Sequence, residues 1–405
     1  MLLDALPMVF VLAGLVLYTV LAGADFGAGF WQLVAGRGER AAPIREHAHH
    51  SMGPVWEANH VWLIFVLTIF WTAYPRAFGS IASTLGAALL LAAIGIVFRG
   101  AAYALRAGAA GAREAGAIDT IFSLSSIVAP FALGAAIGAI ATGRVPVGNA
   151  AGHLFSSWLN PASIFVGVLA VANSAYLAAV YLAADAARLR RPSLERAFRH
   201  RALGAGVLAG AIAIAGLFVV RADDHALYRS LLTGPALAAV IVSVLAGTAT
   251  LALVYTRRFE AARYSAAAAV AAIVAGWAQA RWPAILPGLT IDEAAASHDT
   301  LVWVVVVVLG GAAILFPSLV LLFRLTVTGR FRGPHAAASE IAAGAFRELR
   351  PRVPVRAAVA CLIAGVALLN LADAGWAHAV GVACLLGFIV FAFLAVVPEA
   401  LEVKH

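Results

Sequence analysis

The residues best suited to proton chemistry form a short polar group at the start of a long apolar segment. Glu57, Asn59 and His60 place a carboxylate, an amide and an imidazole within four residues, and a predominantly apolar run from Val61 to Trp71 follows them. If this run crosses a bilayer, the Glu57 carboxylate lies just inside the hydrocarbon, where an unpaired charge costs several kcal/mol. A membrane helix that keeps such a residue uses it to carry a proton, to bind an ion or to pair with another charge.

Three further charged side chains lie in the first four apolar segments. Asp25 is in the first segment, Arg99 is in the third, and Asp119 opens the fourth. A carboxylate at such depth must take up a proton, pair with a base or contact water. Since three acids face one arginine, we expect surplus acid, which a proton path requires. The pattern equally allows a structural interpretation, in which Arg99 pairs with Asp25 or Asp119. Glu57 would then reach water at the membrane surface.

The composition predicts the elements that position these residues. Hydrophobic residues make up 63% of the 405 and charged residues only 12%, whereas a soluble protein has about 25% charged residues. Apolar runs of about 20 residues, each long enough to cross about 30 Å of hydrocarbon, recur along the chain. The sequence therefore predicts an all-α polytopic membrane protein. We expect eleven spans, at about 8–34, 53–73, 79–105, 117–142, 158–185, 203–221, 229–255, 264–282, 300–323, 357–372 and 377–397.

The basic residues predict how the spans are oriented. Lys and Arg accumulate in cytoplasmic loops, and 22 of the 28 basic residues here lie in the loops after spans one, three, five, seven and nine or in the tail. This arginine-rich side is therefore expected to be cytoplasmic, with the N-terminus outside and the C-terminus inside. The charged residues of the first four spans then lie in the cytoplasmic half. The net charge of +8 does not indicate nucleic-acid binding, because the arginines lie in short loops between spans.

The longest polar interruption predicts a division of the chain into domains. Residues 1–328 hold nine spans and are expected to form the main membrane domain. Residues 329–356 are expected to form a cytoplasmic linker, because they include the longest polar interruption of the chain and carry six arginines. Residues 357–405 hold two further spans, which are expected to form an appended transmembrane hairpin with a short cytoplasmic tail.

Few side chains in the spans could ligate a haem, which in a membrane needs axial His, Met or Cys on facing helices. The candidates are Met8, His60, Cys361, His378 and Cys384. They suggest no facing His–His or His–Met pair, so we expect His60 to form hydrogen bonds or to carry a proton. The first loop carries His47, His49 and His50. A solvated, titrating loop is a simpler interpretation of this cluster than a metal site. We therefore expect no catalytic residue, haem or metal on this chain, and electron transfer would belong to a partner.

Two motifs stand on the first two spans. They are Asp25-Phe26-Gly27-Ala28-Gly29 and Trp56-Glu57-Ala58-Asn59-His60-Val61-Trp62-Leu63-Ile64. Further along the chain are Phe98-Arg99, Asp119 and Arg281-Trp282-Pro283. Together these motifs resemble those of subunit II of the cytochrome bd quinol oxidases. The resemblance covers about residues 1–330 and is strongest over the first 145.

The resemblance implies nine spans arranged as two four-helix bundles and a peripheral helix. It also implies a haem-bearing partner, subunit I with haems b and d, in a complex that oxidises quinol and reduces oxygen to water. An acid at the Glu57 position would belong to a proton path from the cytoplasm toward the partner's oxygen-reducing haem. The expected members of this path are Glu57, Asp25, His60 and Asn59. The residues expected at structural ion pairs or at the subunit interface are Arg99, Asp119, Trp56 and Trp62.

The sequence departs from the family pattern in three places. The acid that usually stands three residues before Asp25 is replaced by Ala22, the usual aspartate of the second motif is Glu57, and Ala58-Asn59-His60 replaces a glycine-containing triplet. The appended hairpin also exceeds the usual length, and it could act like the small accessory subunits of such oxidases. The resemblance places the chain in a bacterial-type inner membrane, where a quinone tail could lie in a groove of this subunit.

Two other functions remain open from the sequence. In a structural or assembly subunit, the buried charges would hold helices together without proton transfer. In a stand-alone proton-coupled secondary transporter, Asp25, Glu57 and Arg99 would bind substrate or the coupling proton. Transporter sites usually lie near the midplane at broken helices, often with an internal repeat. Here the charges lie toward one side and no repeat is evident, so this alternative is the less favoured one.

Overall fold

The computed structural model describes residues 2–36, 38, 41–51, 53–106, 112–327, 353–371 and 375–396. Side chains are described for most of these residues, with gaps that include 53–58, 112–114 and 319–327. The chain forms two compact units, Met1–Ala312 and Ala313–His405. The proton-path and ion-pair residues named above all lie in the first unit.

The described residues are almost entirely helical. The helices before the one small sheet are α1 (Leu2–Ala35), α2 (Ala42–Ser51), α3 (Gly53–Ala73), α4 (Pro75–Thr84), α5 (Gly86–Leu105), α6 (Ala112–Ala141), α7 (Pro161–Arg188), α8 (Pro192–Asp223), α9 (His225–Leu231), α10 (Gly234–Tyr255) and α11 (Phe259–Arg281). The antiparallel strands β1 (Ala284–Leu286) and β2 (Leu289–Thr290) follow. The last helices are α12 (Ile291–Ala294), α13 (His298–Val327), α14 (Val353–Leu371) and α15 (Gly375–Val396).

Within the described part of the chain, eight helices are long and apolar enough to cross a membrane. They are α1, α5, α6, α7, α8, α10, α11 and α13, and the count becomes nine if α3 and α4 are taken together as one bent span. The prediction of an all-α polytopic membrane protein is therefore confirmed. The last two predicted spans coincide with α14 and α15, which pack against each other where Gly365 meets the Leu385 side chain.

The third predicted span, 79–105, begins too early. Tyr74 leaves the helical conformation, with φ −135° and ψ 59°, and Pro75 then opens α4 at an angle of 120° to α3. The residue before a proline disfavours the helical conformation, which accounts for the break. In α4, the hydroxyls of Ser80 and Ser83 accept hydrogen bonds from the backbone N–H groups of Gly148 (2.9 Å) and Ala150 (2.8 Å). The membrane-length helix therefore starts only at α5.

Helix α1 is shared by two groups of helices. Its residues Ala24, Ala28 and Trp31 pack into a core formed with α7, α8, α10 and α11. Its other face packs against α3, α5 and α6, where Tyr18 and Ala22 belong to a smaller core. Close approach to α7 depends on Gly27, because a Cβ there would overlap the backbone carbonyl of Ser174. This arrangement gives the two four-helix groups that the family resemblance implied.

Candidate functional site

The group formed by α1, α3, α5 and α6 encloses a buried ion pair between α1 and α5. Asp25 and Arg99 are each 1% exposed. Arg99 Nη2 donates to Asp25 Oδ1 at 2.5 Å and to the Asp25 backbone carbonyl at 2.9 Å. From α3, Asn59 Nδ2 donates to Asp25 Oδ2 at 3.1 Å. Both carboxylate oxygens therefore accept a hydrogen bond, and three helices meet at this carboxylate.

The guanidinium of Arg99 is held on several sides. Its Nη1 donates to Ser126 Oγ on α6, and that hydroxyl donates to the Phe122 carbonyl at 2.6 Å. The guanidinium carbon lies 4.2 Å from the Phe122 ring centroid and 5.3 Å from that of Phe26. An aromatic face attracts a cation, more strongly where water is excluded. These contacts fix the position of the positive charge opposite Asp25.

Gly29 makes this arrangement sterically possible. It lies one turn after Asp25 on α1, and a Cβ at this position would overlap the Ser126 side chain. The same Cβ would lie 3.1 Å from Arg99 Nη1. The glycine of the first sequence motif therefore leaves the space in which the hydroxyl and the guanidinium meet.

Asp119 has a different partner from the one the sequence suggested. Arg106 Nε donates to Asp119 Oδ1 at 2.6 Å, and both side chains are more than one-third exposed. Arg106 is the residue that caps the end of α5, so it can turn back toward the start of α6. The count of three acids against one arginine therefore omitted a base, because Arg106 was grouped with the basic residues of the loops.

The remaining residues of the second motif lie near the start of α3. The side chains of Glu57 and Trp56 lie outside the described residues, although both positions belong to α3. His60 is half-buried and has an interaction partner. Trp62 is also half-buried and packs beside Phe65, with ring centroids 5.9 Å apart. From this motif, the structure thus shows the side chain of Asn59 in contact with Asp25.

Buried polar atoms without a hydrogen-bond partner occur at the ion pair and at two other positions of α1. The Tyr18 hydroxyl, Asn59 Oδ1 and Arg99 Nε have no hydrogen-bond partner among the described residues, and neither does Gln32 Nε2. Sequence reasoning did not single out Tyr18, Gln32 or Ser126. A signal was present for two of them, because Tyr18 and Gln32 each lie seven residues from Asp25 and therefore on the same side of α1.

The group formed by α7, α8, α10 and α11 has its own charged cluster near the arginine-rich side. Asp185, on α7, accepts hydrogen bonds from Arg188 (2.6 Å) and from Arg263 on α11. His47 lies close by on α2, where its Nε2 is 3.0 Å from the Leu182 carbonyl. The prediction that the histidines of the first loop form a solvated face was wrong for His47, which is 2% exposed. Its ring contributes to the packing of α2 on α7.

A third charged cluster lies at the helix ends opposite the arginine-rich side, where it connects α6, α9 and α11. Arg281 Nη2 donates to Asp224 Oδ2 at 2.5 Å, and Arg281 Nε donates to the Ala141 carbonyl at 2.7 Å. Arg144 pairs with the neighbouring Asp223. Asp224 also caps the N-terminus of α9 through the Leu227 N–H at 2.9 Å. Arg281, from the quoted Arg281-Trp282-Pro283 motif, thus ties α6 and α9 to the end of α11.

The potential haem ligands of the first unit lie far apart. Met8 packs with Val11 and Ile69 near the start of α1, whereas His60 lies near the start of α3, beside Asn59. Since Asn59 contacts Asp25, seventeen residues beyond Met8, the two cannot ligate one haem from opposite faces. No group of three or more His, Cys, Asp or Glu with metal-binding geometry occurs within the described part of the chain.

An apolar groove of about 420 Å³ lies between α1 and α11. Its lining includes Leu12, Val16 and Val274, with Gln279 at one side. The groove is open and contains almost no polar surface. Its chemistry suits a hydrocarbon chain.

Comparison with known proteins agrees with the sequence motifs. The chain is 25% identical to the putative cytochrome bd menaquinol oxidase subunit II of Bacillus subtilis over 256 residues, which are 61% of this chain and 71% of that protein. It is 27% identical to the cytochrome bd-I ubiquinol oxidase subunit 2 of Escherichia coli K12 over 172 residues, 41% of this chain and 44% of that protein. The latter match thus spans less than half of each protein.

The fold and the family comparison extend this likeness over most of the chain. The structure matches a chain of the bd oxidase from Geobacillus thermodenitrificans with a TM-score of 0.64 and 25% identity, covering 81% of this chain and 99% of that one. The family model for cytochrome bd terminal oxidase subunit II matches residues 3–326. The resemblance carried by the motifs is thereby confirmed. This multi-pass inner-membrane protein belongs to the family of cytochrome bd terminal oxidase subunit II, whose members are subunits of an oxidoreductase complex.

Proposed function

We propose that this chain is the haem-free partner of a haem-bearing subunit I, in a complex that oxidises quinol and reduces oxygen to water. In this complex the haems of the partner supply the electron chemistry. This chain stabilises the partner and carries part of a proton path that begins on the arginine-rich side, which we take to be cytoplasmic. The family membership supports this proposal over a stand-alone transporter.

The observation that carries the proposal is the buried carboxylate of Asp25, joined to α3 by Asn59. Asn59 lies two residues after Glu57, so the start of the second motif is physically connected to α1. Glu57 and His60 are three residues apart, which places them on one side of α3 near the arginine-rich end. We assign proton uptake to these two positions and proton holding to Asp25, with Asn59 as the residue that positions its carboxylate.

A second candidate function is supported by the same site. The Asp25 carboxylate is buried and paired with Arg99, as expected of a purely structural charge pair. A buried pair of this kind is weak evidence for stability, because the desolvation penalty can exceed the Coulombic gain. In an assembly subunit without proton transfer, the pair would serve only to fix the arrangement of α1, α3 and α5.

The two functions differ in what Glu57→Gln does to the purified complex. If Glu57 transfers protons, the variant assembles with normal haem content but reduces oxygen more slowly, by roughly 10²-fold or more, as expected for a lost proton-transfer group. The conservative control Glu57→Asp keeps a carboxylate and should retain most of the rate. Loss of assembled complex with normal turnover per haem would contradict the proton path and favour the assembly function.

The C-terminal part of the chain gives a separate proposal. The family match ends at residue 326, before α14 and α15. We propose that residues 329–356 form a cytoplasmic linker and that residues 357–405 form an added hairpin, which acts in place of a small accessory subunit.

The groove between α1 and α11 has the apolar lining that a quinone tail or a lipid chain needs.

A further inference from the structure

A polar stripe runs along the side of α1 that faces α3, α5 and α6. Tyr18, Asp25 and Gln32 are spaced by seven residues, which rotates each by only about 20° from the last. They are 6%, 1% and 6% exposed, so the whole stripe is buried. At 1.5 Å per residue it extends roughly 21 Å along the helix. Gln32 lies about one turn from the arginine-rich end of α1, and Tyr18 lies at the middle of the helix.

Unpaired polar atoms occur along the full length of this stripe. They are the Tyr18 hydroxyl, Asn59 Oδ1, Arg99 Nε and Gln32 Nε2, and the described residues offer none of them a partner. Buried polar groups of native proteins are nearly always hydrogen-bonded, to the protein or to ordered water. Two of these atoms can only donate, one can only accept, and the hydroxyl can do both. Water satisfies such a mixed set, whereas a single ion does not.

Between Tyr18 and Asp25, two of the packed helices carry small side chains. Ala22 stands between them on the stripe, and Ala129 of α6 belongs to the same small core. Both side chains are single methyl groups, so neither adds a polar atom between Tyr18 and Asp25. A water molecule near Ala22 would therefore have polar neighbours on either side along α1.

We propose that ordered water molecules line this stripe and that the Tyr18 hydroxyl relays protons beyond Asp25, toward the outer half of the membrane. The inference rests on the proposed proton path and adds its next member. In each step the phenolic oxygen accepts a proton from one water molecule and releases its own proton to the next. The hydroxyl is regenerated, and no net charge stays on Tyr18. Gln32 and Asn59 act as positioning residues for the water.

The test compares Tyr18→Phe with a matched control in the purified complex. Tyr18→Phe removes one hydroxyl and keeps the ring that packs in the core. Tyr176→Phe removes another buried hydroxyl without a partner among the described residues, in the core with α7 and α8 and away from Asp25. We expect Tyr18→Phe to lower quinol-driven oxygen consumption at least about tenfold, a modest effect for a lost proton-transfer group. Its solvent deuterium isotope effect should rise while the haem content stays normal. Tyr176→Phe should match the unaltered complex in all three measurements.

Two results would overturn the relay. One is normal turnover of Tyr18→Phe at full haem content. The other is an equal loss of haem content in both variants, which would make the hydroxyls structural. If Glu57→Gln slows the complex and Tyr18→Phe does not, the proposed function stands and only the extension to Tyr18 fails. If neither variant slows it, both fail.

A structural measurement does not depend on turnover. A cryo-EM map of the whole complex that resolves water should show ordered density within hydrogen-bonding distance of the Tyr18 hydroxyl and Asn59 Oδ1. Direct side-chain partners for both atoms, with no density between Ala22 and Asp25, would contradict the water line.

Discussion

Replacing Arg99 by methionine should destabilise the protein strongly, because it leaves the Asp25 carboxylate in the bundle without a counter-ion. The variant loses the 2.5 Å ion pair, the 2.9 Å bond to the Asp25 carbonyl and the bond to Ser126. Breaking a buried pair by removing one partner costs about 3–5 kcal/mol. Native proteins are stable by only about 5–15 kcal/mol. The variant should therefore lose a large part of its folding stability and much of its yield of assembled complex.

The exposed ion pair between Arg106 and Asp119 offers a matched control for Arg99→Met. Arg106→Met breaks the bond to Asp119, but both side chains there are more than one-third exposed. Solvent screening limits such pairs to about 0–1 kcal/mol. The thermal midpoint and yield of this variant should therefore stay close to those of the unaltered protein, since only a solvated contact is lost.

A double variant separates the charge pair from simple packing. Asp25→Asn in the Arg99→Met background removes the stranded charge and should recover much of the lost stability, because most of the cost of breaking a buried pair comes from the charge left uncompensated. The assay is thermal unfolding of the purified complex, read out as a thermodynamic cycle of the two single variants and the double variant. The reasoning is refuted if Arg99→Met is as mild as Arg106→Met, or if the double variant is no better than Arg99→Met alone.

Two further predictions concern packing and the outer charged cluster. Gly29→Ala should impair assembly, because its Cβ would overlap Ser126, whereas Gly210→Ala meets no atom within 4 Å and should be neutral or slightly stabilising in the same thermal assay. Normal assembly of Gly29→Ala would contradict the close approach. Arg281→Lys should lower the thermal midpoint, because one ammonium cannot reproduce the bonds to Asp224 and to the Ala141 carbonyl. A midpoint equal to that of the unaltered protein would mean that this cluster adds nothing measurable.

The sequence predicted the helices well because long apolar runs leave the chain few alternatives in a bilayer. It failed where local chemistry competes with that pattern. The Tyr74–Pro75 step was visible in the sequence, but the apolar residues on both sides suggested a loop followed by one long span. The short helix α4 is held by hydroxyl contacts to the 148–150 loop, which no local pattern reveals.

The partners of the buried charges were only partly predictable. The sequence offered Asp25 and Asp119 as partners for Arg99, and the structure selects Asp25. That choice depends on how α1 and α5 are rotated about their axes. The sequence carries no signal for this rotation, because Asp25 and Arg99 are 74 positions apart. Arg106 was missed because a helix cap and a loop residue look alike in sequence.

The buried histidine of α2 shows a similar limit. His47 lies among polar residues, which favoured a solvated loop, but α2 docks on α7 and buries its ring. Docking of a short polar helix depends on tertiary contacts rather than on its own composition. The heptad spacing of Tyr18, Asp25 and Gln32 is visible in the sequence. The burial of all three side chains, which identifies them as one buried stripe, is visible only in the structure.

The central claim, that this subunit delivers protons from the arginine-rich side, is tested most directly by proton uptake during a single turnover. The reduced complex in liposomes is mixed with oxygen, and a pH indicator on the arginine-rich side records the uptake. We predict that Glu57→Gln delays proton uptake and oxygen reduction together, whereas Glu57→Asp keeps both near the unaltered rates. Uptake by Glu57→Gln with unaltered kinetics at full haem content would contradict the claim.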